Sequence, residues 1–160
     1  MSGESAATQR GFTYLGILFA VAFIGVGLAV IGQLWSIAAR RADEQQLLFV
    51  GDSFRRAIGS YYRAGRQYPQ YLEDLVLDKR GPVPLHHLRK LYADPITREA
   101  DWELVTLDNG GIIGVASRSQ GKPLKRANFE RQDASFEDAE CYCDWQFVYL
   151  PPRARPRRAQ

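Results

Sequence analysis

The stretch between Arg118 and Cys143 holds most of the side chains that could do chemistry. Five acidic or hydroxyl side chains fall within eight residues of it: Asp133, Ser135, Glu137, Asp138 and Glu140. Calcium takes about six to eight oxygen ligands, and carboxylates are prominent among them. EF-hand spacing is absent. Two interpretations stay open: a calcium site, with Asp133 and Asp138 as candidate ligands, or a solvated acidic loop.

The only two cysteines, Cys141 and Cys143, are separated by one residue. In an extended segment their Cα atoms would lie near the upper limit of about 6.8 Å for a disulfide, so bridging needs a turn. The open alternatives are a local disulfide in an oxidising compartment and a metal site shared with the only histidines, His86 and His87. Neighbouring residues on a helix point about 100° apart, which suits zinc chelation poorly.

The remaining sequence motifs predict no enzyme and no nucleic-acid binding. There is no P-loop, no G-x-G-x-x-G and no G-x-S-x-G, and no nucleophile has an evident base. The net charge is +3, but the arginines of the tail supply +4 of it: Arg153, Arg155, Arg157 and Arg158. The basic balance therefore belongs to residues 151–160, which are predicted to be a disordered tail.

The element that must position these side chains begins with an apolar segment. Gly11–Ala39 contains no Asp, Glu, Lys or Arg. As a helix, residues 12–35 would be roughly 36 Å long, enough to cross a bilayer core of about 30 Å. Small residues recur one turn apart at Gly16 and Ala20, a spacing that lets helices approach closely in lipid. The pattern predicts a transmembrane helix.

A helical pattern continues beyond this segment, over residues 36–64. Apolar residues recur at the i, i+3, i+4 spacing of a helix with one buried face: Leu47, Val50, Phe54, Ile58 and Tyr61. Charged residues are predicted to fill the solvent face: Asp52, Arg55, Arg56 and Arg63. Gly65 and the following Tyr68-Pro69 predict the end of the helix.

Residues 65–150 are predicted to form one small globular head. Short helices are expected at Gln70–Leu77 and Leu85–Tyr92. Alternating apolar and polar residues predict strands over 102–107, 112–117 and 144–149, and Asp108-Asn109-Gly110-Gly111 predicts a hairpin turn between the first two. The predicted fold class is α+β, with the long N-terminal helix packed on a three-stranded antiparallel sheet.

The junction Arg10-Gly11-Phe12-Thr13, a short polar leader that meets a long apolar helix, resembles the type IV pilins and type II secretion pseudopilins. The resemblance implies a leader of residues 1–11, cleavage by prepilin peptidase after Gly11, and N-methylation of Phe12. The family usually has a glutamate where this chain has Gly16. That carboxylate is understood to pair with the N-terminal amine of a neighbouring subunit, so its absence should weaken self-assembly.

A second stretch, comprising Tyr68-Pro69, Leu91-Tyr92-Ala93-Asp94-Pro95 and Trp102, is similar to the connector of the major-pseudopilin branch. That branch also has a calcium site in its C-terminal loop. The resemblance implies a pilin-like fold and a structural subunit of a secretion pseudopilus. The implied partners are other pseudopilins, the prepilin peptidase, an assembly platform and the membrane. The implied location is the bacterial inner membrane, with the head in the periplasm.

Three other interpretations stay open at this point. The chain could be a signal-anchored periplasmic binding module that never assembles, a minor pilin of a type IV pilus, or a membrane-tethered redox or metal enzyme. The positive-inside rule also disagrees with the family: Arg40 and Arg41 follow the apolar segment, whereas Arg10 alone precedes it, which favours a cytoplasmic head.

Overall fold

The computed structural model describes residues 9–151, without the side chains of residues 9–13 and 29–32. The chain divides after Arg40 into two compact units. The elements, in chain order, are α1 Gln9–Gly65, α2 Glu73–Val76, β1 Glu103–Thr106, β2 Ile112–Ala116, a 3₁₀ helix Arg131–Phe136, a 3₁₀ turn Tyr142–Asp144 and β3 Phe147–Val148. The long N-terminal helix and the antiparallel sheet confirm the predicted α+β class.

The buried face of α1 in the second unit carries the apolar residues that the periodicity selected. All five are buried: Leu47, Val50, Phe54, Ile58 and Tyr61. The prediction for Arg55 was wrong, because this side chain is buried rather than solvated. Arg55 lies four residues after Gly51 and three before Ile58, so it shares the side of the helix on which both are buried.

The sheet has the order β1-β2-β3, and both pairs are antiparallel. Val115 in the central strand lies opposite Leu104 on one side and Phe147 on the other. Gly110, in the turn between β1 and β2, has φ +80°, a backbone conformation that glycine adopts without steric cost. All residues of β2 are buried, so this strand forms the inner part of the sheet.

Two glycines of α1 let the aromatic side chains of the last strand region approach the helix backbone. A Cβ atom added at Gly51 would lie 2.4 Å from ring atoms of Phe147. At Gly59 the same atom would lie 2.7 Å from the ring of Tyr149. The absence of side chains at these positions therefore allows the helix and the sheet to pack closely.

The first predicted short helix, Gln70–Leu77, is reduced to the single turn Glu73–Val76. The second, Leu85–Tyr92, was wrong, because this segment is not helical. Leu85 instead pairs with Asp78 through two backbone hydrogen bonds of 2.8 and 3.0 Å. These hydrogen bonds hold the segment extended where a helix would have to begin.

The turn at Asp94-Pro95 holds the segment before β1 against the sheet. The Asp94 side chain is fully buried, and its carboxylate accepts hydrogen bonds from the Ile96 amide (2.8 Å) and the Ser117 hydroxyl (2.5 Å). Ser117 directly follows β2, so one carboxylate joins the turn to the end of the central strand. The Trp102 indole N–H donates to the Tyr92 carbonyl at 2.8 Å and so joins the two ends of the segment 92–102.

Candidate functional site

The N-terminal part of α1 exposes an unusual amount of apolar surface. Its described large side chains, from Tyr14 to Leu28 and from Leu34 to Ile37, are each between 45% and 74% exposed. Helix α1 is long and apolar enough to span a membrane. A surface of this kind is stable in lipid or against other apolar helices rather than in water.

Glycines on this part of α1 are open to an approaching partner. A Cβ atom added at Gly16, Gly25 or Gly27 would meet nothing within 4 Å. These glycines therefore differ from Gly51 and Gly59 of the second unit, where aromatic rings fill the space. Open small residues on an apolar helix are typical of surfaces where transmembrane helices pack together.

The predicted processing site lies at the start of this helix. The backbone at Gly11 and Phe12 belongs to α1, and the leader residues 1–8 lie outside the described residues, as do the tail residues 152–160. Cleavage after Gly11 and methylation of Phe12 therefore stay predictions.

The long C-terminal loop is held onto α1 by a buried carboxylate. Glu44 is only 4% exposed, and its Oε1 atom accepts a hydrogen bond from the Tyr142 hydroxyl at 2.9 Å. The same oxygen accepts hydrogen bonds from the backbone amides of Leu124 and Lys125. These donors offset the large cost of removing the carboxylate from water. Through them, Glu44 holds the loop to α1 at Leu124 and at Tyr142.

A second contact holds the middle of the loop. Arg55 donates to the Asp133 carboxylate at 2.5 Å, and about nine-tenths of each side chain is buried. The guanidinium of Arg55 also lies 5.5 Å from the ring centroid of Phe147. This candidate calcium ligand is therefore already paired with a cation supplied by the chain itself.

The other candidate ligand, Asp138, is exposed and has φ +62°, in the left-handed region that Asp tolerates better than most residues. Because Asp133 faces Arg55, a calcium ion using both carboxylates would have to displace the guanidinium. Calcium binding stays a prediction.

The two cysteines form a disulfide in this structure. The 3₁₀ turn Tyr142–Asp144 provides the turn that bridging requires and brings the Cα atoms of Cys141 and Cys143 to 5.1 Å. Asp144 accepts hydrogen bonds from the backbone amides of Glu140 and Cys141, which stabilises the turn. The ligand atoms of both cysteines and Asp144 lie within 4.8 Å of one another, but sulfurs joined to each other cannot act as thiolate ligands.

A cluster that sequence reasoning missed surrounds Asp78, a buried carboxylate. Arg80 donates to both of its oxygens, at 2.9 and 2.6 Å, and the side chain of His87 lies 3.2 Å from it. The hydrogen bonds from Arg80 hold the pKa of Asp78 well below its usual value. Arg80 also donates to the Tyr61 carbonyl at 3.0 Å, so its guanidinium caps a carbonyl near the end of α1.

His87 connects Asp78 to a serine of α1. Its Nδ1 lies 2.9 Å from the Ser60 hydroxyl, and its Nε2 faces Asp78. Since a carboxylate only accepts hydrogen bonds, Nε2 carries a proton and donates. The order Ser-His-Asp is that of hydrolytic triads, but the neighbouring backbone N–H groups belong to α1 and are used in the helix, so they cannot form an oxyanion hole. In this structure the cluster joins the end of α1 to the segment that contains Asp78 and His87.

The two histidines have separate partners, which argues against a shared zinc ion. His86 Nδ1 lies 2.5 Å from the Val76 carbonyl, whereas His87 joins the Asp78 cluster. The sequence signal that could have found part of this cluster is the short spacing Asp78-x-Arg80, an acid and a base two residues apart. The Glu44 and Arg55 contacts join residues about 80 positions apart and left no local signal.

The comparisons with known proteins add no relative: no family model, curated protein or solved structure matches the chain significantly.

Proposed function

We propose that this protein is a non-enzymatic, pilin-like subunit of a type II secretion pseudopilus. Prepilin peptidase would remove residues 1–11, and Phe12 would become the methylated N-terminus. The apolar segment first anchors the subunit in the inner membrane, with the head in the periplasm. It then packs against the helices of other pseudopilins, while an assembly platform drives extraction from the bilayer.

The observation that carries this proposal is the exposed apolar part of α1 immediately after Gly11. A soluble protein that left these side chains in water would expose far more apolar surface than monomers tolerate. An anchor alone would account for the apolar side chains. The open glycines at Gly16, Gly25 and Gly27 add a surface suited to helix packing.

Gly16 favours a minor or tip-proximal position over that of the bulk filament protein. A carboxylate at this position would pair with the N-terminal amine of a neighbour in a medium of low dielectric, where charge pairs are strong. Gly16 offers no such pair. The subunit would therefore assemble mainly through apolar packing with other pseudopilins.

Mass spectrometry of the mature N-terminus tests the proposal. The chain is expressed with and without a prepilin peptidase, and the intact mass is measured in the membrane fraction. We expect a peptidase-dependent loss of residues 1–11 and one added methyl group on Phe12. A Gly11→Leu variant should keep its leader, whereas the matched variant Gly16→Leu should still be processed.

Retention of Met1 in the presence of active peptidase would overturn the proposal. Such a result would favour the second candidate, a signal-anchored module that does not assemble. Gly16 is the specific observation that favours this alternative, because it removes the charge on which assembly usually depends.

A further inference from the structure

We infer that the second unit carries a binding surface for the headgroups of anionic phospholipids. The surface, here called the basic patch, consists of Arg41, Lys122, Leu124, Lys125 and Arg126. Arg41 belongs to α1, and the other four belong to the loop after β2. The inference goes beyond the proposed function but rests on its membrane anchor.

The fold brings Leu124 and Lys125 next to Arg41 although about 80 positions separate them in sequence. Glu44 accepts the backbone amides of Leu124 and Lys125 and so holds the loop against α1 one turn after Arg41. Arg41, Leu124 and Lys125 line a common groove. The patch is thus built by a buried hydrogen-bond network rather than by chance proximity of flexible side chains.

The patch carries four basic side chains, and the acids Asp52, Glu130 and Asp133 line the neighbouring groove beside Lys125. The side chains of Arg41, Lys122 and Arg126 are exposed, and Lys125 is half-buried. The carboxylate of Glu44 is buried beneath the loop and occupied by three donors. Asp43, the next nearest acid on the helix, is paired with Arg98 at 2.9 Å. Anionic lipid is attracted to clustered lysine and arginine, by about fivefold in binding constant for each charge near the surface.

The position of the patch along the chain selects lipid over other anions. Arg41 follows the last large exposed apolar residue of the anchor, Ile37, by four positions. Even a fully extended chain of four residues spans only about 14 Å, so Arg41 must lie close to the end of the anchor. The headgroup layer on each side of the hydrocarbon core is about 5–8 Å thick. Leu124, which is 39% exposed, adds an apolar contact at this level.

The patch also gives a reason why the positive-inside rule and the family resemblance predict opposite locations for the head. Positive residues directly after the apolar segment would bind headgroups of the leaflet on the side of the head, whichever side that is. Their presence then reflects lipid contact rather than topology.

The lipid selectivity of the full-length protein tests this inference. The protein is reconstituted in phosphatidylcholine bilayers, and electron paramagnetic resonance compares the motionally restricted fractions of spin-labelled phosphatidylglycerol and spin-labelled phosphatidylcholine. We expect phosphatidylglycerol to associate at least about fivefold more strongly, the gain from one basic side chain near the surface. The triple variant Arg41→Gln, Lys122→Gln and Lys125→Gln should fall below about twofold. Raising the salt to about 0.5 M should weaken the preference of the wild-type protein.

A matched variant controls for net charge. Arg63→Gln, Arg66→Gln and Arg89→Gln remove three exposed positive charges outside the patch and should leave the selectivity unchanged. Equal lipid preference in the wild-type protein and the patch variant would overturn the inference, as would an equal loss in both variants. A chain that restricts neither lipid would refute the membrane anchor itself, which separates failure of the proposed function from failure of the patch alone.

Discussion

The buried charged groups of the head described above each have specific hydrogen-bond or ion-pair partners. Glu44 accepts three hydrogen bonds, Asp94 accepts two and Asp133 pairs with Arg55. Burying an ion without such contacts would cost several kcal/mol, about the size of the whole stability of a small domain. These residues therefore determine whether the loop and the connector can fold onto α1 at all.

At Asp78 we predict a dependence of stability on pH. Its pKa in the folded protein lies below that of the unfolded chain, about 3.9, because Arg80 hydrogen-bonds to the charged form. The stabilisation is therefore fully present above pH ~4 and is lost gradually as the pH falls from there towards the lower pKa of the folded state. Asp78→Asn should lower the free energy of unfolding by about 2–3 kcal/mol at pH 7, and by progressively less as the pH falls below ~4.

Urea unfolding of the detergent-solubilised protein, followed by tryptophan fluorescence, measures this difference. Trp102 and Trp145 are buried in the head and report its unfolding. The control is Asp108→Asn, which alters an exposed carboxylate of the hairpin. A constant difference between wild type and Asp78→Asn from pH ~7 to ~3 would contradict the assigned pKa direction.

The Arg55–Asp133 pair predicts strong coupling between α1 and the loop. Asp133→Leu alone leaves a buried guanidinium without its main partner and should destabilise the head by about 3 kcal/mol. Adding Arg55→Met removes the stranded charge and should restore most of the loss. A double-mutant cycle of melting curves measures the coupling. If added calcium stabilised the wild-type protein and Asp133→Leu abolished the effect, Asp133 would be a metal ligand instead.

At the scale of elements, the sequence predicted the features that depend on residues close to one another in the chain. The hairpin followed from Asn109-Gly110, and the buried face of α1 followed from its apolar spacing. The non-helical segment after Leu85 was missed because its pairing with Asp78 is set by backbone hydrogen bonds that leave no periodicity. Arg55 was misplaced because its partner, Asp133, is 78 residues away and an arginine on a helix usually faces water.

Gly51 gives the element-scale prediction. In an isolated helix, Gly51→Ala would gain about 1 kcal/mol from helix propensity. Here the new methyl group would overlap the ring of Phe147, which is packed in the core. Overpacking of this kind costs about 1–3 kcal/mol, and a rigid ring favours the upper end. We therefore expect a net loss of about 1–2 kcal/mol, measured by urea unfolding.

Two further variants make this prediction specific. Gly51→Ala should cost less in a Phe147→Leu background than in the wild-type protein, because the smaller side chain makes room for the methyl group. Gly81→Ala places its Cβ at an ordinary 3.5 Å contact and should be nearly neutral. A Gly51→Ala protein more stable than wild type would show that the strand shifts without cost.

At the scale of the whole molecule, the two units solve different problems of burial. The second unit buries its apolar residues within itself, around the side chains of α1 and the sheet. The first unit leaves the large apolar side chains that the structure describes in it exposed. These side chains can be buried in lipid or against other helices, so self-association should depend on the residues of the first unit.

Gly16→Glu therefore tests how the subunit assembles. A carboxylate at this open position could pair with the N-terminal amine that cleavage after Gly11 would create on a neighbouring copy. We expect Gly16→Glu to increase cross-linked oligomers severalfold in cells that contain the peptidase, and not in cells without it, where no amine is released at Phe12.

The control Gly16→Ala changes packing but adds no charge and should leave assembly near the wild-type level. Glutamate at the equally open Gly25 should not promote assembly, because a buried carboxylate deeper in the apolar segment lacks a partner. Equal oligomer formation by Gly16→Glu with and without peptidase would rule out pairing with a processed N-terminus.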